Sequence, residues 1–274
     1  MLTAVITHLR CPVCREPFVQ AERALQCARG HSFDIARQGY ADLTAGRPVH
    51  TGDTAEMVAA REALLTAGHF AALSTAVAEV VAAEQPGLVL EVGAGTAHYL
   101  AAALGDGQDG LAVDTSKAAL KRAARAHERI GAVRADIWQG LPLADHTAAV
   151  VLDVFAPRSG AEFARVLAPG GALVVATPAA GHLAELVAAL GLISVDPAKD
   201  ERLHKSLDRW FVRTHRRRIH DTLRLTRADA EALVGMGPSA WHTDRDAIAT
   251  ALDGWRGPIT ATLDVDLTVW RPYI

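Results

Sequence analysis

The sequence predicts an α/β fold, a Rossmann-like core with a parallel sheet and helices on both faces, behind a small cysteine-bearing N-terminal segment. Three observations carry this. From residue 87 onward short apolar runs alternate with stretches of helical period. The first run ends on the glycine-rich turn Gly93-Ala94-Gly95. All the cysteines, Cys11, Cys14 and Cys27, fall in the first tenth of the chain.

Length and composition bound what this architecture can hold. With 274 residues, half of them hydrophobic, the chain can bury a large core and carry a second, smaller unit. A formal charge of −3 does not mark a nucleic-acid binder by bulk electrostatics, so any basic surface must be local. An odd, bunched cysteine count argues against a disulfide framework and for a metal in a reducing compartment. Residues 1–10 lack the apolar stretch of a signal peptide. The run 70–83 is too short to span a bilayer and is broken by Glu79. A soluble cytoplasmic protein with no membrane partner is therefore expected.

Along the chain, residues 1–48 form the first unit, with six arginines against four acids, a local net of +2 (6 − 4). Residues 49–85 form a helical linker. Gly52 marks a turn, Asp53 with Glu56 reads as a capping box, and helical period runs to about Leu65. Gly68 breaks it before a second helix over 70–83. Residues 86–274 form the α/β domain. Strands are predicted at 87–92, 111–114, 148–154 and 172–177, and helices at 116–128, with Ser116 as cap, and at 162–167. A helix at 227–234 and an alternating strand at 260–270 close it.

The cysteines are spaced as metal ligands. Cys11 and Cys14 sit on one tight turn, and Cys27 and His31 supply a second pair, with Gly30 permitting the bend. Three thiolates and an imidazole close a tetrahedron around Zn²⁺ and leave no open position, so the metal is structural. A module this small lacks the core to fold without it. The alternative is three unrelated thiols beside a surface histidine.

The glycine turn points to a nucleotide cofactor. Glu91 ends the strand, Gly93 and Gly95 allow close backbone approach, and Asp114 lies nineteen residues beyond Gly95, where a carboxylate can accept from a ribose diol. The glycines alone do not choose between cofactors. A dinucleotide fingerprint wants glycine where His98 stands, and a methyltransferase loop wants it where Ala97 stands. Later segments favour S-adenosylmethionine. Asp136, followed by Ile137, sits after the third strand, within reach of an adenine amino group, and the run from Phe163 to Gly171 leads into the fifth strand as in class I S-adenosylmethionine-dependent methyltransferases. Solvated loop acids are the alternative for Asp114 and Asp136.

The whole pattern resembles the RlmA family of 23S rRNA guanine-N1 methyltransferases, most closely its tylosin-resistance branch. The resemblance is carried by Cys11 to Cys14, Gly30 to Tyr40, Gly52 to Arg61, Ala67 to Phe70, Val154-Phe155-Ala156-Pro157-Arg158, Thr177-Pro178, His182 to Leu186, Met236 to Ser239 and Trp241. It implies that the zinc module grips an rRNA hairpin, that two copies form the cleft holding it, and that methylation can confer macrolide resistance. It also implies cofactor contacts at Phe70, Tyr99, Leu100 and His182. Phe70 stands where the family usually has tyrosine, which removes one hydroxyl.

Guanine N1 lies on the Watson–Crick edge, so the base must be unpaired before it can react. Asp153, ending the fourth strand, is the candidate base for the N1 proton, with a solvated strand-end acid as the alternative. Cations for RNA gather at Arg15, Arg29 and Arg37, at Arg213, Arg216, Arg217 and Arg218 after Lys205 and Arg209, and at Lys121, Arg122, Arg125 and Arg129. The last group reads as a solvated helix face. Competing readings are a small-molecule methyltransferase, separable by failure to methylate rRNA, and a non-catalytic zinc-dependent RNA-binding factor, separable by failure to bind S-adenosylmethionine.

Overall fold

The computed structural model describes residues 2–47, 49–192, 199–236, 250, 252, 255 and 257–273. The matches at Gly237, Pro238, Ser239 and Trp241 lie outside them. A one-turn helix α1 (Leu2–Val5) precedes a three-stranded antiparallel sheet of β1 (Phe18–Ala21), β2 (Ala24–Cys27) and β3 (Ser32–Asp34). There follow β4 (Ala41–Asp42), α2 (Ala55–Thr66), α3 (Ala71–Ala82), β5 (Leu88–Val92), α4 (His98–Ala103), β6 (Gly110–Asp114), α5 (Lys117–Ala126) and β7 (Ile130–Arg134). The chain continues through β8 (Ala148–Val154), α6 (Gly160–Val166), β9 (Leu167–Pro178), α7 (Ala184–Leu190), α8 (Lys199–Leu207), β10 (Phe211–Leu225), α9 (Arg227–Gly235) and β11 (Ile259–Pro272).

The main sheet has the order β10-β11-β9-β8-β5-β6-β7-β4. β4 to β9 run parallel, β11 pairs antiparallel with β9, and β10 antiparallel with β11. From β5 the chain winds outward to β6 and β7, then returns to β8 and β9 on the other side. That reversal leaves a crevice at the carboxyl ends of β5 and β8, where open α/β sheets bind ligands. β5 and β8 are buried at every position, which is why they read as unbroken apolar runs.

The two faces of the sheet have separate cores. One packs α2 to α5, α7 and α9; the other packs α1, α6 and α8 together with the cysteine segment. The cysteine-bearing module therefore shares a core with the α/β domain. Cys11, Phe18, Leu25 and Cys27 pack in the same cluster as Leu90, Val113 and Val133. β4 adds a short strand to the sheet beside β7, and α1 presses so closely on β7 that a Cβ on Gly131 would lie 2.3 Å from Val5 Cγ2. Sequence alone does not show this docking, since two strand residues and one helical turn carry no periodicity.

Two local expectations are corrected. The cap of α2 is Thr54, whose hydroxyl accepts from Met57 N–H at 3.3 Å, because Asp53 turns instead to an ion pair with Arg61. β10 carries no strand signal in the sequence. Its charged residues read as a basic cluster, yet they alternate across a strand: Arg216 and Arg218 pair with the buried Asp266 and Asp264 of β11, while Arg217 reaches Glu79 of α3.

Candidate cofactor and metal sites

Cys11 and Cys27 are buried and Cys14 and His31 half-buried, with all four ligand atoms within 4.8 Å of one another. Cys11 Sγ and Cys27 Sγ lie 3.6 and 3.3 Å from His31 Nδ1, and Cys14 Sγ lies 3.6 Å from Cys27 Sγ. Around a tetrahedral zinc about 2.3 Å from each sulfur, ligand atoms stand roughly 3.5–3.8 Å apart, so the residues fit the metal.

At the carboxyl end of β5 the loop Gly93–Thr96 turns with φ of 67° at Gly93 and 54° at Gly95. A Cβ on Gly93 would lie 2.5 Å from Ala156 Cβ, so the loop packs directly on the turn after β8. Ala97 also takes a left-handed conformation, φ 59°, which explains why a glycine suits that position. Asp114 closes the loop from β6: its Oδ2 accepts from Gly95 N–H at 2.8 Å and its Oδ1 from Ser116 N–H at 2.7 Å. Burial pushes the Asp114 carboxyl up despite these bonds.

Two residues outside the glycine motif shape this site. The Arg61 guanidinium lies over the loop, 3.4 Å from where a Gly95 Cβ would be, and also donates to Met236 O. Gly52 rests on the Asp114–Ser116 turn, where a Cβ would meet Ser116 N at 2.7 Å. Both belong to the run Gly52 to Arg61, which reads as linker by its period alone; the unbroken match of that run to the family pattern is the signal of a site role.

Glu91 is fully buried below the loop, and Oε2 accepts from Leu100 N–H at 3.2 Å at the start of α4. Burial raises its carboxyl to about 8. The folded chain therefore keeps a proton that the unfolded chain has already lost. Stability is present at low pH and falls as pH rises from about 4.5 to about 8, by up to about 1.4 kcal/mol per unit. Glu91→Gln, which keeps an acceptor for Leu100, is expected to flatten this slope and raise stability near pH 8. Urea midpoints across the range check it; an unchanged slope would show that Glu91 is ionised when folded.

The remaining expected positions divide into three groups. Phe70, Phe155 and His182 meet at the carboxyl end of the sheet: Phe155 stacks on His182 with centroids 5.9 Å apart, and both stand edge-on to Phe70 at 6.4 Å. Tyr99 and Leu100 are buried in α4 behind the glycine loop. Asp136 ends the turn after β7, beside Ile137, with Oδ2 taken by His50 N–H and Nδ1 and Oδ1 by Trp138 N–H.

Asp153 does not face solvent. It is 0% exposed and grips Arg158, with Nε 3.1 Å from Oδ2, while Oδ1 accepts from Ala156 N–H. A carboxylate held this way positions the turn after β8, and in this arrangement it cannot reach a guanine N1 proton. Arg15 is likewise a structural tether: it donates to Leu141 O and Leu143 O and lies 3.7 Å from Asp145, fastening the metal module to the core. Arg29 and Arg37 stay exposed. A cavity of ≈ 600 Å³ opens between module and sheet, lined by Val13, Phe33, Asp42, Arg47 and Arg134 among others.

Comparison with known proteins settles which family combines these sites. Residues 9–51 match the zinc-ribbon model described as RlmA, N-terminal, and residues 89–171 match a methyltransferase domain. The chain is 52% identical over 98% of its length, and 98% of the relative's, to a putative 23S rRNA (guanine-N1)-methyltransferase of Micromonospora griseorubida. It is 45% identical, again over 98% of both chains, to the 23S rRNA (guanine(748)-N1)-methyltransferase of Streptomyces fradiae. The chain belongs to the RlmA family of 23S rRNA guanine-N1 methyltransferases. As an RlmA-family protein it is an S-adenosylmethionine-dependent enzyme with a zinc ribbon, and its Cys11-Cys14-Cys27-His31 cluster is the ribbon's metal site. Among solved structures, the YcgJ protein of Bacillus subtilis aligns with a TM-score of 0.50 at 16% identity, over 72% of this chain and 96% of that one, which shows the shared fold alone. Among the described residues no single helix is long and apolar enough to cross a membrane.

Proposed function

We propose that this chain transfers the methyl group of S-adenosylmethionine to N1 of a guanine in a 23S rRNA hairpin, a modification that protects against tylosin-type macrolides. The observation that carries the reading is one chain holding a closed Cys₃His cluster packed on the same α/β sheet that presents a glycine loop closed by Asp114. S-adenosylmethionine supplies an electrophilic methyl group. Asp114 would accept from its ribose, Gly93 and Gly95 would let backbone approach it, and Asp136 with Ile137 would border the adenine. Glu91 would brace the loop through Leu100, and Phe70, Tyr99 and His182 would wall the site. Positioning of an unpaired guanine then provides much of the rate. The test is methylation of an unmodified 23S rRNA transcript with the product nucleotide mapped by mass spectrometry. Methyl transfer to small molecules alone would overturn the reading.

The hairpin would lie against the zinc module, with the exposed Arg29 and Arg37 on its phosphates. Deleting the module is a poor test, because it strips β4 and α1 from the core. Charge reversal is cleaner. Arg29→Glu with Arg37→Glu is expected to weaken hairpin binding, and to lower the slope of log K against log salt by about 1 per lost phosphate contact, with S-adenosylhomocysteine affinity unchanged. Filter binding at several salt concentrations checks this; an unaltered slope would move the RNA elsewhere. A cleft made by two copies, as in the family, would appear as a dimer by light scattering.

A further inference from the structure

The turn after β8 carries a partly exposed aromatic ring. Phe155 takes φ 55°, a left-handed conformation that bulky residues rarely adopt, and the residue remains 40% exposed. The turn is firmly held. Phe155 N–H donates to Ala176 O at 3.1 Å, Asp153 Oδ1 accepts from Ala156 N–H at 3.3 Å, and Arg158 bridges Asp153 and Ala156 O. The left-handed residue is thus imposed by its surroundings, and such conformations gather at functional sites.

One side of the ring has a rigid backing. His182 stacks against Phe155 at an interplanar angle of 25°, and Phe70 abuts both rings edge-on. His182 is itself fixed, since its Nδ1 accepts from Asp264 N–H at 3.2 Å, which leaves any ring proton on Nε2. The next residue, Ala156, touches the first glycine of the cofactor loop so closely that no side chain fits between them. A partly exposed aromatic face backed by His182 and Phe70 therefore stands beside the cofactor loop, at the carboxyl ends of β5 and β8, where the chain order reverses.

We propose that Phe155 is the stacking platform for the acceptor purine, receiving the unpaired guanine on the side not covered by His182. This rests on the reading of the chain as an rRNA guanine methyltransferase. Single-stranded bases are held by aromatic rings in this way, and a π-face is sequence-tolerant, so Phe155 orients the base while other groups choose it. Asp153 and Arg158 act as positioning residues by holding the turn.

The experiment compares Phe155→Tyr, Phe155→Ala and Phe155→Asn in the full-length, zinc-loaded protein. Asparagine tolerates the left-handed backbone, so Phe155→Asn separates loss of the ring from a strained or collapsed turn. Methylation of unmodified 23S rRNA and calorimetric binding of S-adenosylhomocysteine are measured together. Phe155→Ala and Phe155→Asn are expected to lose about 10- to 100-fold in kcat/KM for RNA, the equivalent of one lost base stack, with cofactor affinity held and Phe155→Tyr close to wild type. Full activity of Phe155→Asn would overturn the proposal, and so would a parallel loss of cofactor affinity, which would make Phe155 part of the cofactor wall. A wild-type protein that leaves 23S rRNA unmethylated would overturn the functional reading itself, and this proposal with it.

Discussion

Stripping the metal is expected to destabilise the whole chain as one cooperative unit, not to release a loose N-terminal tail from an unaffected enzyme. Cys11 and Cys27 pack in the same core as the strands of the main sheet. The module is also stitched on by backbone bonds: Arg10 N–H to Pro142 O at 2.8 Å, Ala144 N–H to His8 O at 2.8 Å, and a bridge between Leu9 and Leu143. Structural zinc in small modules contributes about 10–16 kcal/mol of apparent binding energy, comparable with the roughly 5–15 kcal/mol that stabilises an entire domain. Even a loss of about 5 kcal/mol corresponds to a fall of roughly 10–20 °C in Tm for a chain this long. Cys11→Ser, or a chelator, should therefore lower a single calorimetric transition by at least about 10 °C. Two separated transitions with the upper one unmoved would show that module and core fold independently.

What the sequence disclosed depended on how local the chemistry was. The Cys₃His cluster and the glycine turn were legible because their residue types and spacings encode the geometry within a few turns of chain. The central strands were legible because burial on both faces writes an unbroken apolar run. β10 was hidden for the opposite reason: its Arg216 and Arg218 are satisfied by Asp266 and Asp264 from a strand about fifty residues away, and no local pattern reveals a buried partner. Asp153 misled in the same manner. A strand-end acid in the right place looks like a base until Arg158 is seen against it. The roles of Gly52, Arg61 and Phe155 depend on contacts with β6, the glycine loop and α7's approach, all distant in sequence. Thr54 took the cap from Asp53 because Arg61 offered that carboxylate a stronger, charge-assisted partner.

Asp114→Ala is expected to weaken S-adenosylhomocysteine binding by one to two orders of magnitude, roughly 1.4–2.8 kcal/mol, the size of a lost pair of charge-assisted hydrogen bonds. Two effects contribute. The variant removes the acceptor for the ribose hydroxyls, and it frees Gly95 N–H and Ser116 N–H, which hold the glycine loop and the turn into α5. Asp114→Asn tells them apart. An amide oxygen can still take one backbone N–H but cannot accept from both the backbone and a ribose diol, so this variant should fall between wild type and alanine. The pH dependence has a definite sign. Burial raises the Asp114 carboxyl above the ordinary range, and the ribose donates to its ionised form, so affinity should drop as pH falls toward that raised value. In Asp114→Asn this dependence should vanish. Calorimetry on the full-length zinc protein across several pH values reads all three outcomes, and a dissociation constant unchanged in Asp114→Ala would remove Asp114 from the cofactor site.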